Sequence, residues 1–295
     1  MAPRFLACFG RGGATASAPE PVEDLAPGPV LVELFSSQGC AASPEADALV
    51  ARLAQESSET GGGERAMVVL GFHVDYWDYR GWKDPFASSA WTVRQKAYVE
   101  ALRLDTLFTP QVVVQGRADC VGTEQDKLAQ AVRDAPRYPS PAMKVRTHAR
   151  MLHAPTSLIV DGALKSEPCA SLCALQVKFQ RPNPSTLQAS FTGALHSRVD
   201  GGGSVLVALY ESGVVTDCGR GENKSKSLLN DHVVRRLEKV AAVRDGTSAR
   251  KAVSGSVQFP LWDDFRATKC GIVLFVQNSA LQVLGVQHFD LPDSV

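Results

Sequence analysis

VLVELFSSQGCAASP, Val30 to Pro44, is the stretch that decides how this chain is read. Its first six residues are apolar except for Glu33 and rich in β-branched side chains, which suits a buried strand. Small residues then make a turn. After it, Ala46, Leu49, Val50 and Leu53 recur at helical spacing. Pro44 fits only because it falls in the first turn of that helix. Cys40 therefore stands where a strand hands over to a helix N-terminus. Unpaired backbone N–H groups and the positive end of the helix dipole favour a thiolate there. A free cysteine near pKa 8.5 is roughly 3% ionised at pH 7, whereas one lowered to roughly 6 is about 90% thiolate. In Cys40-Ala41-Ala42-Ser43 the fourth residue is a hydroxyl, which can donate a hydrogen bond to sulfur but cannot resolve a mixed disulfide. The chemistry open to the site is monothiol: a mixed disulfide released by an external thiol, or binding without turnover. An inert cysteine buried at a turn is the plainer alternative.

Working outward, the first half alternates strand and helix. Ala66 to Val74 is a second buried strand, reached through a loop from Ser57 that holds Gly61 to Gly63. Asp75 to Phe86, DYWDYRGWKDPF, is too aromatic and too broken by Gly81 and Pro85 to be regular. Ser88 or Ser89 caps the next helix, with Ala90, Val93, Ala97, Ala101 and Leu104 as its expected inner stripe. Thr109-Pro110 leads into QVVVQ, a Gly116-Arg117 turn and ADCVG, which is a hairpin pattern. Thr123 is placed to cap a closing helix with Leu128, Ala131 and Val132 inward. The order is β-α-β-α-β-β-α over residues 29–135.

Prolines 136, 139 and 141 mark a linker, residues 136–142. From residue 143 to 295 short strand-like segments follow one another, such as Ala174 to Phe179, Val205 to Tyr210 and Gly271 to Val276. One helix-like piece, Asp231 to Val243, interrupts them. This favours a mainly antiparallel β-sandwich.

At 295 residues the chain has room for about two domains. Lys plus Arg and Asp plus Glu number 31 each, so no strong field points to nucleic acid or an anionic membrane. Phe5 to Phe9 is too short an apolar run for a secretory signal, and no stretch is long enough for a membrane span. Residues 1–28, rich in Ala, Gly, Ser and Pro, read as a disordered tail, with an organelle transit peptide as the alternative. Seven cysteines without regular spacing, and no export signal, imply reduced thiols and a cytoplasmic location.

The element order, the cysteine at the first helix and the Thr-Pro before the hairpin resemble the thioredoxin and glutaredoxin fold. Within it, VELFSSQGC, FHVDYWDYRGWKDPF and FTPQVVVQGR closely resemble the uncharacterised family called domain of unknown function 1223. The similarity continues in RGEN at Arg220 to Asn223, VVRRL at Val233 to Leu237 and VLFVQ at Val273 to Gln277, and spans roughly residues 29–291. The resemblance implies that Pro110 is cis and lies against the Cys40 sulfur. It implies that Glu33 matches a buried acid that takes up the thiol proton, the alternative being an inward acid paired with a base. It implies that Gly122 and Thr123 match the turn that meets glutathione in glutaredoxins, although the paired glycines are missing. Where the family pattern has a second cysteine this chain has Ser43. That moves the analogy towards monothiol glutaredoxins with Cys-x-x-Ser sites.

Other residues gather at the same sheet edge, where ligands bind in open α/β sheets. His73 and Asp75 end the second strand and can orient a substrate, with Thr109 alongside. Trp77 and Trp82, with Tyr76 and Tyr79, form either a pocket wall or the packing of a long insert. His73, Asp75 and Asp78 match no familiar metal site, so neither metal nor other cofactor is expected. Glutathione is the candidate co-substrate, and the expected partner is a protein or small-molecule thiol or disulfide. Cys120 is a candidate distant resolving thiol. Cys169 and Cys173, a C-x-x-x-C pair, read as structural. Two functions follow: a monothiol thiol-disulfide oxidoreductase, or a binding protein on the same scaffold that has lost its second cysteine.

Overall fold

A computed structural model describes residues 26–60, 67–141, 144–145 and 176–293. The expected tail up to residue 25 (with Cys8), Gly61 to Gly63 and the Cys169/Cys173 pair lie outside the described residues, while Ser57 to Thr60, expected as loop, are helical. The elements are β1 (Val30–Ser36), α1 (Ser43–Thr60), β2 (Met67–His73), α2 (Ser89–Leu102), β3 (Gln111–Val114), β4 (Ala118–Val121) and α3 (Gln125–Asp134). They continue as β5 (Lys144–Val145), β6 (Gln176–Asn183), β7 (Thr186–Ala194), β8 (Gly203–Glu211), β9 (Val214–Asp217) and β10 (Ser227–Asn230). The last four strands are β11 (Val233–Val243), β12 (Ala252–Pro260), β13 (Cys270–Asn278) and β14 (Val283–Asp290).

The fold is mixed α/β. Its largest sheet has eight strands in the order β14-β13-β8-β11-β2-β1-β3-β4. β1 and β2 are parallel, joined through α1, and β1 pairs antiparallel with β3. Strands from both sides of the expected linker share this sheet. The join is a single parallel pairing, Val233 opposite Gly71, reinforced by the Gly71 N–H donating to His232 O at 2.7 Å. A second, four-stranded sheet, β12-β7-β6-β5, packs on the β8–β13–β14 side. Two sheets do pack face to face after the linker, but one of them is the first half's sheet continued, so the strands there form no separate sandwich. Residues 136–141 do not dangle between two bodies: Gly28 N–H donates to Tyr138 O at 3.0 Å, Pro27 bridges Pro139, and Pro141 is buried. The expected tail thus ends in a paired segment at Pro27 and Gly28.

Period-two alternation sorts the strands between three cores. Val30, Val32 and Leu34 face α1 and α3, while Leu31 and Phe35 face α2. On β13, Ile272, Leu274 and Val276 face the second sheet, and Val273 and Phe275 face the α2 side. The large sheet curls, bringing the β13–β14 turn back to the β3–β4 turn, where Val283 N–H donates to Gln115 O at 3.0 Å.

Three local expectations need correction. Residues 231–243 are not helical: 233–243 form the eleven-residue strand β11. The buried face of α2 is Trp91, Thr92, Gln95 and Tyr98, whereas Val93 is 66% exposed. Its inward side chains are polar or aromatic because they serve Glu33 and the segment before Pro110. Thr123 does not cap α3, which starts at Gln125 behind Glu124 without a side-chain cap. Ser88 does cap α2, its hydroxyl accepting from Ala90 N–H at 3.3 Å.

Candidate functional site

The β1–α1 turn carries Cys40, and its shape is set by bonds from five parts of the chain, Asn223 in the β9–β10 turn being the fifth. Within the turn, Cys40 N–H donates to Ser37 O at 3.0 Å and Gly39 N–H to Ser37 Oγ at 3.1 Å. From α1, Ser43 Oγ accepts from Ser37 N–H at 3.2 Å. Ser43 is fully buried and its oxygen is used on backbone rather than aimed only at sulfur. From the aromatic insert, Asp84 Oδ2 accepts from Gln38 N–H at 2.8 Å. From β10, Asn230 Oδ1 accepts from Gln38 Nε2 at 2.6 Å.

Cys40 is 4% exposed. Its S–H reaches Thr109 O at 3.7 Å, and the Thr109–Pro110 peptide is cis. Gly122 N–H donates to Pro110 O at 2.9 Å. A Cβ on Gly122 would come within 2.9 Å of Ala46 Cβ and 3.2 Å of Pro110 Cβ, so only glycine lets β4 approach α1 here. The structure brings Cys40, Ser43, Thr109, Pro110 and Gly122 to one place. Thr123 lies next to Gly122, its carbonyl accepting from Gln125 N–H at 3.2 Å.

The insert is packing and scaffold together. Trp77 closes against Gly39, with Arg80 over its ring at 5.1 Å. Trp82 Nε1 donates to Gln38 Oε1 at 3.1 Å. Asp75 is committed to α2, its Oδ1 accepting from Thr92 Oγ1 at 2.6 Å. Near the thiol, the Tyr76 hydroxyl is buried among the polar atoms of Gln95, Thr109 and Trp77, which interact with it but close no hydrogen bond of good geometry. Burial pushes the Tyr76 hydroxyl up to about 12, and the nearby Cys40 adds to the rise.

His73 Nδ1 lies 2.7 Å from Asp84 Oδ2, both side chains being buried. Burial alone lowers a histidine pKa, but the Asp84 charge and hydrogen bond override it, so His73 is raised. Burial works against the Asp84 carboxylate too, and His73 brings it below its usual range. His73 therefore supports the turn through Asp84. Asp47, one helical turn into α1, accepts from Ser36 Oγ at 3.0 Å, and burial pushes it up to about 6. It lines a cavity of about 470 Å³ along the flank of α1 with Arg52, Ser212, Asp231 and His232, away from Cys40.

Glu33 does not have the free carboxylate that a proton acceptor needs. It is 1% exposed, and Arg94 and Tyr98 hold both its oxygens. Cys120 belongs to the core beneath α3, where burial first, then Asp119 and Glu124, push its thiol up to about 11. That keeps it protonated, against a resolving role. Among the described residues no group of three or more His, Cys, Asp or Glu has the geometry to hold a metal ion. No helix among them is long and apolar enough to cross a membrane.

Asn223, buried in the turn between β9 and β10, was missed. Its Nδ2 donates to Gln38 O and to Cys40 O, each at 2.9 Å. It lies in the RGEN segment quoted for the resemblance, but nothing periodic marks a polar residue in a Lys- and Gly-rich turn.

The comparisons agree with this architecture. A protein from Agrobacterium tumefaciens, known from its crystal structure, is similar at 21% identity and TM-score 0.53, over 90% of this chain and 95% of that one. HBP35 of Porphyromonas gingivalis is similar at 11% identity and TM-score 0.54, over 90% of this chain and 76% of that one. At these identities the likeness is one of fold. No curated protein matches the chain. The family model described as protein of unknown function (DUF1223) matches residues 31–167 and 159–277. The chain belongs to the DUF1223 family.

Proposed function

We propose that this is a thioredoxin-like protein whose one thiol at the β1–α1 turn, Cys40, exchanges with disulfides or glutathione adducts. The observation that carries the proposal is the approach of Cys40, at the start of α1, to the carbonyl that precedes cis-Pro110, at 3.7 Å. The sheet order β2-β1-β3-β4 with its connections supports the same scaffold. In the exchange, the Cys40 thiolate attacks one sulfur of a disulfide, and the other sulfur leaves as a thiolate. A second, external thiol then attacks the mixed disulfide and releases Cys40, because Ser43 has no sulfur with which to do so. The buried polar atoms of Tyr76, Trp77, Thr109 and Gln95, grouped around the Tyr76 hydroxyl, suit a polar substrate group near the sulfur.

A binding protein without turnover is the second reading, favoured by the 4% exposure of Cys40. Treatment with glutathione disulfide followed by intact-mass analysis and peptide mapping separates the two. Exchange predicts an adduct on Cys40 that a thiol reductant removes. An unmodified Cys40, with ordinary alkylation rates against pH, sinks the redox proposal.

A further inference from the structure

The turn that carries Cys40 is completed by a residue 183 positions away. Asn223 is 1% exposed, and its whole amide is committed. Its Nδ2 donates to Gln38 O and Cys40 O, at 2.9 Å each, and its Oδ1 accepts from Lys226 Nζ at 3.0 Å. An amide nitrogen has two hydrogens, and here each has a carbonyl of the same turn. In a trans peptide unit the N–H points opposite to the C=O. Holding the oxygens of Gln38 and Cys40 on the Asn223 side therefore turns the N–H groups of Gly39 and Ala41 to the other side. Gly39 N–H is spent on Ser37 Oγ, at 3.1 Å. Ala41 N–H is at the mouth of α1, where backbone donors have no partner within the helix. The surroundings show that Asn223 is firmly seated: Gly221 packs on Trp82, with a hypothetical Cβ only 2.9 Å from Trp82 Cβ, and Glu222 lies 3.8 Å from Arg80.

We propose that Asn223 is a positioning residue for Cys40. It orients the peptide dipoles of the turn around the sulfur, so the reactivity of the thiol is set from the C-terminal half of the chain. This rests on Cys40 being the exchanging thiol. It also gives that half a part in the site: the β9–β10 turn supplies a group that residues 29–135 lack.

The test uses the full chain and the variants Asn223→Asp and Asn223→Ala. Alkylation of Cys40 by iodoacetamide is followed by peptide mass mapping between about pH 5 and pH 9, the range over which thiolates form. Asn223→Asp sets an acceptor against two carbonyl oxygens. The Cys40 alkylation profile then moves up by about one unit of pH, and alkylation at any pH well below its midpoint falls about tenfold, the two being the same change in thiolate population where most of the thiol is protonated. Asn223→Ala moves both readouts the same way by a smaller amount, and decides the matter alone where the Asp variant does not fold. A merely structural role predicts the opposite sign. A loosened turn exposes Cys40, and with it the buried Cys218, so both thiols react faster and the Cys40 profile stays in place. Faster or unchanged Cys40 alkylation in the variants overturns the proposal. If Cys40 of the unaltered chain forms no glutathione adduct, the proposed function itself has failed. If it forms one and the variants behave as the unaltered chain does, only the role of Asn223 has failed.

Discussion

Arg94 grips Glu33 through two nitrogens, Nε at 2.5 Å and Nη2 at 2.9 Å, joining the second turn of α2 to β1, which lies between β2 and β3. Arg94 also comes within 3.4 Å of Gln277 on β13, and its guanidinium lies over the rings of Phe72, Tyr98 and Phe275. Arg94 thus links β1, through the ion pair, to β13 across the curled sheet.

Removing one partner of such a buried pair leaves the other charge without compensation. Arg94→Ala is expected to destabilise the fold by about 3–5 kcal/mol. Glu33→Gln combined with Arg94→Met, which removes both charges, should recover much of that loss. Urea denaturation of the single and double variants checks this. Equal losses in both mean the ion pair is not what the helix contributes.

How far the chain could be read in advance depended on regularity. Val30 to Phe35 and the Ser88 cap were legible because burial and capping leave local signatures. β11 was not. Its ladder with β8 shifts register between Val234 and Arg236 and again between Lys239 and Ala241. Those two irregularities spoil the period of two and leave Val233, Leu237, Val240 and Ala241 at spacings that mimic a helix. The α2 stripe failed for another reason: Arg94, Gln95 and Tyr98 are polar, and only the position of Glu33 in three dimensions explains why they point inward. Cys40 was legible as a candidate, at the hand-over from strand to helix, whereas Asn223 needed the tertiary structure.

Asp47 gives a pH dependence of definite sign. Its folded pKa is raised from 3.8 to about 6, chiefly by burial, so the folded state favours the protonated acid. The resulting penalty is absent below the unfolded value, grows between pH 3.8 and about 6, and is full above that. Asn at this position can still accept from Ser36 Oγ and carries no charge. Asp47→Asn should therefore raise stability at pH 8 by roughly 1–2 kcal/mol, the full shift being discounted for partial exposure, and change little at pH 3.5. Chemical denaturation at the two pH values checks this; a gain at low pH instead would refute the assignment.

His73 acts with the same slope over a higher range. Its folded pKa is raised by Asp84, so the stability it contributes is complete below the unfolded value near 6.5 and is lost as pH rises through the folded one. His73→Gln keeps a hydrogen bond to Asp84 without the charge. The variant should be less stable than the unaltered chain at pH 6, with the gap narrowing as pH rises, as followed by thermal melts. A gap that widens with pH contradicts the charged pair.

Ser43→Cys tests the scaffold rather than the natural chemistry. The residue is fully buried at the first position of α1, three residues after Cys40. If the turn has the geometry proposed, oxidation closes a disulfide between Cys40 and the introduced cysteine, seen as the loss of two hydrogens by intact mass. The variant then gains insulin-disulfide reductase activity with a dithiol reductant. A stable dithiol that never closes shows that the turn lacks that geometry.

Gly116 tests whether the two halves are packed as one sheet, because it sits where the β3–β4 turn meets the β13–β14 turn. It has φ +63°, and a Cβ there would come 1.9 Å from Leu281 O. Gly246 has a similar φ, +67°, but nothing lies within 4 Å of its hypothetical Cβ. Both carry the left-handed backbone cost of about 1–2 kcal/mol on substitution by alanine. Only Gly116→Ala adds a collision with backbone, which cannot rotate away. Gly116→Ala should therefore cost at least about 2 kcal/mol more than Gly246→Ala, in the range seen for overpacking. Urea midpoints of the two variants measure the difference. Equal costs would mean that the β3–β4 turn does not bear on Leu281, and that the sheet does not close back on itself in solution.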